Sequence, residues 1–250
     1  MIIIRSYICK VIFSMNKLFL FIMISTLSYG QKNILFTPNQ LTGQSEIHIT
    51  QNKKFGLIPE VASSFKLMRA AALKDSISIK IISSFRSFNQ QKEIWNQKFK
   101  KNDSMKLSIN KNIFKIIEYS TIPGTSRHHW GTDIDIIDSN IKPEGDVLLT
   151  EKFYGKGPYA KLKSWLNENS KKFGFYLVYT NDKMRKGFNH EPWHYSYKPI
   201  SKYLLKEFLN INFTKLFLES EVLGSEYLTY DFIKYYKKEF LLGISSELKE

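Results

Sequence analysis

The chain has 250 residues, 43% of them hydrophobic and 24% charged, an ordinary globular composition that suits one domain with an appendage. Its formal net charge of +14 favours anionic partners. The lysines are dispersed and no nucleic-acid-binding motif is present, so cell-wall polymer or an acidic peptide matches the chain better than nucleic acid.

The N-terminus departs from this composition. Arg5, Lys10 and Lys17 are the only charges before Lys32, and the apolar run LFLFIMI at 18–24 leads into STLSYGQ, with Ser28 and Gly30 as small residues at cleavage positions. Residues 1–30 read as a signal peptide. Met15 is an alternative start, because MNKLFLFIMISTLSYG alone has the basic, apolar and small-residue regions of an export signal. The competing reading is an uncleaved anchor, but the apolar run is short for a span of about 20 residues. Cleavage would remove three of the 37 basic residues and none of the 23 acidic ones, leaving 34 against 23, a net +11. It would also remove Cys9, the sole cysteine, and with it any disulfide or thiolate zinc ligand. The product is expected to be exported, periplasmic or associated with the cell envelope.

After an N-terminal segment at 31–54, the spacing of Val61, Phe65, Met68 and Ala72 predicts a helix, and the alternation of Ile77, Ile79 and Ile81 predicts a strand. Ser87 is placed to cap a helix through FNQQKEIWNQKFKK, whose Ile94, Trp95 and Phe99 lie close to one face. Ile109, Ile113, Ile116 and Ile117 suggest another helix, ended by TIPG. In GTDIDII, Asp133 and Asp135 fall on one face of a strand and Ile134 and Ile136 on the other. A polar stretch, a helix around Leu162, Trp165 and Leu166, and a strand FYLVY at 175–179 follow. Beyond residue 200, Leu204, Phe208 and Leu209, and later Phe232, Tyr236 and Phe240, have helical spacing. That C-terminal extension, 201–250, reads as a helical appendage packed on the rest, or as a surface that associates with wall or membrane.

The chemistry concentrates in TSRHHWGTDIDI, 125–136, and HEPWHYSY, 190–197. A strand that turns two carboxylates to one face needs a reason, since a buried unpaired carboxylate is costly. Gly131 allows a loop histidine, His128, to meet Asp135 at one point. Without cysteine, a metal must be held by His, Asp or Glu, and catalytic zinc takes three protein ligands and keeps a position for water. His194 is the best third ligand, so His128, Asp135 and His194 form the expected set, with His129 spare. Glu191, three residues before His194, is placed to act as general base. Taken singly, His48, His129 and His190 are more simply core or surface histidines, and Trp130 and Trp193 packing walls.

These residues resemble the VanY-type zinc D-alanyl-D-alanine carboxypeptidases, which share a fold with the hedgehog signalling domain. The first metal motif, SxHxxGxAxD, is matched by Ser126, His128, Gly131 and Asp135 after Pro123 and Gly124, and the second, ExWH, by Glu191, Trp193 and His194. SSFRSFNQQ resembles the segment that places Arg86 and Gln91, and the strand in KKFGFYLVY fits as well. The resemblance covers roughly 55–200 and rests on three ordered motifs. One departure is Asp133, where the family has a small residue; it adds a negative charge near the metal and is placed to orient a ligand histidine.

The resemblance implies an α+β fold, a small antiparallel sheet flanked by helices, carrying a zinc peptidase domain at 55–200. It implies Zn2+ as cofactor, peptidoglycan stem peptides as partners, and removal of a C-terminal D-amino acid by D,D- or L,D-carboxypeptidase action. Glu191 and Arg86 would be catalytic, and Arg86, Ser126 and Gln91 would bind substrate. Arg86 is open to two roles, carboxylate anchor or oxyanion support, with a plain surface ion pair as the duller one. The alternatives are an endopeptidase of the same fold, as in phage endolysins, and a non-catalytic zinc-stabilised wall-binding module.

Overall fold

The computed structural model describes residues 36–49 and 56–249, so the signal-peptide reading lies outside the described residues. Residues 35–250 form one compact unit. A one-turn helix, α1 (Pro38–Leu41), precedes α2 (Pro59–Lys74), which starts on a proline and buries Val61, Met68 and Ala72. Strand β1 (Ile79–Ser83) follows, with Ile79 and Ile81 inward. Helix α3 (Phe88–Ser104) begins at a capping box: Ser87 Oγ accepts from Gln90 N at 3.2 Å and Gln90 Oε1 accepts from Ser87 N at 2.9 Å. Loss of such a cap costs about 1 kcal/mol. Helix α4 (Ile109–Ile116) precedes β2 (Asp133–Asp138), and then come α5 (Ala160–Asn169), β3 (Phe175–Leu177) and β4 (His194–Tyr197).

The four strands form one antiparallel sheet in the order β1-β2-β4-β3. Both faces of β2 are covered, so all six of its residues are buried. The register sets Asp135 opposite His194 and Asp133 opposite Ser196, while Ser83 at the end of β1 pairs with Asp135. A slip of one residue would turn every one of these side chains to the other face. Register therefore decides whether the two motifs meet. The strand expected at 175–179 ends at Leu177. Beyond it, the Val178 carbonyl accepts from Ser245 N at 2.8 Å and the Tyr179 carbonyl from Glu191 N at 3.2 Å.

The segment after residue 200 packs onto this frame as α6 (Lys198–Leu209), α7 (Phe213–Glu219) and α8 (Tyr230–Tyr236), the last continuing into a wider turn through Leu241. Phe208 sits edge-on to Trp130 with centroids 5.1 Å apart, and Leu204, Phe213, Phe217 and Tyr236 are buried. Among the described residues no helix is long and apolar enough to cross a membrane.

Candidate metal centre

Ser126 opens a short turn, Arg127–Trp130, by accepting the His128 N–H on its hydroxyl at 3.2 Å. Gly131 ends the turn at φ +68°, where a Cβ would lie 2.3 Å from the Ile49 side chain. Only glycine fits that backbone without strain. The chain then enters β2, which carries Asp135 to a point between the two histidines.

His128 Nδ1 donates to the Ser84 carbonyl at 2.7 Å, which leaves the Nε2 lone pair facing Asp135 Oδ2 at 3.3 Å. On the other side, His194 Nδ1 stands 3.7 Å from Asp135 Oδ1 and 2.9 Å from Glu191 Oε2. Ligand atoms of His128, Asp135 and His194 all lie within 4.8 Å of one another, and the three residues are buried. Asp135 Oδ1 is buried with no hydrogen-bond partner. A buried carboxylate oxygen without a donor has its lone pairs free to ligate a metal ion.

The electrostatics agree. Burial alone would lower the His194 pKa, but the Asp135 charge, the bond to Asp133 and Glu191 outweigh it and raise it to about 10. Burial pushes the Asp135 carboxyl upward, yet His128 and His194 bring it below its ordinary value. The carboxylates thus demand a positive charge at this point, which a bound divalent ion would satisfy in place of a proton. The donor set, two imidazoles and one carboxylate, suits zinc with one position left open.

The trio forms one wall of a cleft of about 490 Å³, whose other lining includes Arg86, Lys98, Ser120, Asp146, Leu149 and Trp193. Arg86 is held from behind: one NH group donates to Gln91 Oε1 at 2.7 Å and the other to Ser83 Oγ at 2.9 Å. Lys98 Nζ donates to Ser120 Oγ at 2.5 Å. Burial lowers both pKa values. Among the described residues neither cation has a carboxylate within 4.0 Å, so Arg86 is not the surface ion pair of its duller reading.

Gln91 differs from expectation. It is fully buried and absent from the cleft lining, with its amide spent on Arg86 and, through Nε2, on the Thr121 carbonyl at 2.7 Å. Its place is beneath Arg86, as a support. Ser126 does line the cleft. His129, spare as a ligand, has a tautomer fixed from both sides: the Gly124 N–H donates to Nε2 at 3.1 Å, so Nδ1 carries the hydrogen donated to the Arg86 carbonyl at 2.6 Å.

Sequence reasoning missed Lys98, Arg127 and Ser196. Arg127 Nε meets Asp133 Oδ2 at 2.8 Å and its NH2 group meets Ser196 Oγ at 2.7 Å, all buried. A signal existed for this group. A buried Asp133 requires a cation, and Ser196 lies two residues past His194 on the same strand face, as Asp133 lies two before Asp135. For Lys98 there was no local signal.

Comparison with known proteins agrees with this arrangement. A family model described as VanY, D-alanyl-D-alanine carboxypeptidase, matches residues 54–200, more than half of the chain. A D-alanyl-D-alanine carboxypeptidase of Enterococcus faecalis is 29% identical over 128 residues, 51% of this chain and 42% of that protein. An uncharacterized protein of Haemophilus influenzae is 36% identical over 109 residues, 43% of this chain and 83% of the relative. The chain thus spans most of the Haemophilus relative but less than half of the enterococcal one. Among solved structures, VanYB in complex with D-alanine-D-alanine matches with a TM-score of 0.51 at 23% identity, over 71% of this chain and 91% of that one, a likeness of fold. The motif residues that the sheet register brings together all fall inside the matched span, and the chain belongs to the VanY D-alanyl-D-alanine carboxypeptidase family.

Proposed function

We propose that this protein is a zinc-dependent peptidoglycan carboxypeptidase, exported to the cell envelope, that removes the C-terminal D-amino acid from stem peptides by D,D- or L,D-cleavage. The observation that carries the reading is the pairing of two walls: the His128, Asp135 and His194 trio with Glu191 beside it, facing two cations without carboxylate partners. Zinc held by the trio would polarise the scissile carbonyl and bring the pKa of a water toward roughly 7. Glu191, 2.9 Å from His194, is placed to take the proton of the attacking water and pass it to the leaving amine. Arg86, fixed by Gln91 and Ser83, offers its guanidinium to the carbonyl oxygen or the terminal carboxylate, and the Ser126 hydroxyl can donate to the same substrate end. Two cations in the cleft favour a substrate with a free C-terminal carboxylate over an internal bond. A binding module has no use for a base beside an open position, so Glu191 favours catalysis.

The test is incubation of the purified protein with zinc and a muropeptide mixture, with products read by mass spectrometry beside Glu191→Ala. Loss of one alanine mass by the wild type, with the variant slower by about 10²–10⁴-fold, is the expected result. A cut within the stem would replace the reading by an endopeptidase. No zinc-dependent product from folded, zinc-loaded protein would overturn it in favour of the binding module.

A further inference from the structure

The Asp133 carboxylate is fully buried and lies one layer behind the trio. Its Oδ1 accepts from Thr132 Oγ1 at 2.7 Å and from Ser196 Oγ at 2.6 Å. Its Oδ2 receives Arg127 Nε at 2.8 Å and faces His194 Nε2 at 3.1 Å. Four contacts account for the acceptor capacity of a carboxylate, so Asp133 has none left for a metal. The network also closes on itself, because Arg127 NH2 reaches Ser196 Oγ at 2.7 Å while its guanidinium lies over the Trp130 ring, 4.5 Å from the centroid.

We infer that Asp133 is a positioning residue for the metal centre: it accepts the Nε2–H of His194 and so dedicates Nδ1 to the ion, while Arg127 neutralises and locks Asp133. Without a partner on Nε2, the imidazole could carry its hydrogen on either nitrogen and rotate about χ2. His194 stands between two carboxylates, Glu191 Oε2 at 2.9 Å from Nδ1 and Asp133 Oδ2 at 3.1 Å from Nε2; when Asp133 holds the Nε2–H, the ring plane is set and the Nδ1 lone pair is left for the ion. His128 is treated in the same way by a different group, the Ser84 carbonyl on its Nδ1. The two ligand histidines therefore bind through opposite nitrogens, His128 by Nε2 and His194 by Nδ1. Arg127 explains how a second carboxylate can stand behind the site without adding net charge, since a buried ion pair broken on one side is strongly destabilising.

This inference rests on the reading of the trio as a metal site, and the test separates the two. Zinc affinity is measured by competition with a chelating dye for wild type, Asp133→Asn and the double variant Asp133→Ala/Arg127→Met. The double variant removes both charges and guards against a misfolded single variant, with folding checked by circular dichroism in excess chelator. Imidazole nitrogen spectra of the zinc-loaded wild type report which ring nitrogen of His194 is protonated. We expect Nε2 protonated and Nδ1 metallated, and both variants weaker for zinc by about 10–100-fold with the fold retained. Affinities within threefold of wild type, or His194 metallated through Nε2, would overturn the role of Asp133 alone. A folded wild type that takes up no zinc would overturn the metal site and this inference with it.

Discussion

The two walls of the cleft are built by different means. The metal wall is a product of strand register: β2 and β4 set Asp135 against His194, and the ligands need only the alternation of an extended chain to point the same way. The rest of the lining, with Arg86, Lys98 and Ser120, combines local contacts, Arg86 to Ser83 and Gln91, with support from far along the chain. Behind it, Trp95 Nε1 donates to the Leu223 carbonyl at 2.9 Å, and Phe114 meets Phe232 with centroids 6.0 Å apart. Tyr236 OH accepts from Ile122 N at 3.3 Å and bonds Thr125 Oγ1 at 3.0 Å, just ahead of Ser126. Among the described residues, those beyond 200 do not line the cleft, yet they brace the elements that carry Trp95, Ile122 and Thr125. One set of side chains is brought together by the pairing of two strands, whereas the other also leans on the segment beyond residue 200.

His129 ties the walls together, and its titration gives the largest expected effect. Burial pushes its pKa down to about 3, against the raising effect of its bond to the Arg86 carbonyl, while the unfolded value is 6.5. Below pH 6.5 the unfolded chain takes up a proton that the folded chain refuses until about pH 3, so stability falls as pH drops through that window. The loss is on the order of 5 kcal/mol across it and absent above it. Urea midpoints at pH 7, 5.5 and 4 should show this slope, to which His48, lowered by burial to about 4, also contributes, so His129→Gln should make it shallower without abolishing it. An unchanged slope in the variant would break the link between the walls.

Tyr236→Phe leaves a buried Ile122 N–H without its partner and should cost about 1–3 kcal/mol by denaturant unfolding. A cost near zero would mean that the tail merely rests on the domain. Lys98→Met should raise KM about tenfold for peptides with a free C-terminus and leave the corresponding amides unchanged, as loss of one charged hydrogen bond predicts. Equal effects on both would remove Lys98 from substrate recognition. At the small end, Lys171 and Glu247 pair at 2.7 Å but both are half exposed, so Lys171→Ala should change stability by less than about 1 kcal/mol. A larger cost would mean that surface pairing, too, holds the tail in place.

The same contrast sets what could be read from the sequence. Helices over 59–74, 88–104 and 109–116, and the strand with its two aspartates on one face, follow from periodicity and a cap, which are local properties. His128, Asp135, His194 and Glu191 were legible because metal ligation restricts residue types and the ordered motifs fix their spacing. Strand β4 was missed although His194 and Ser196 alternate with Tyr195 and Tyr197, because four residues are too few for a period of two to stand out. Gln91 was placed correctly in the chain but in the wrong layer, because a motif position does not say which way an amide faces. Lys98 and the brace of Tyr236 depend on partners far away in sequence, where no periodicity reaches, whereas Arg127 stands only six residues before the Asp133 it anchors. The tail has the packed helices that its spacing suggested, with Leu204 and Phe208 buried and Leu205 buried beside them.

The register of β2 against β4 has a consequence for assembly. Asp135 and His194 are brought together only when the last strand has docked, so an unfolded or half-folded chain offers a cation no preformed trio. An ion bound there would act as a clasp closed at the end of folding, raising the melting temperature with the free metal concentration and releasing that gain when a chelator is added.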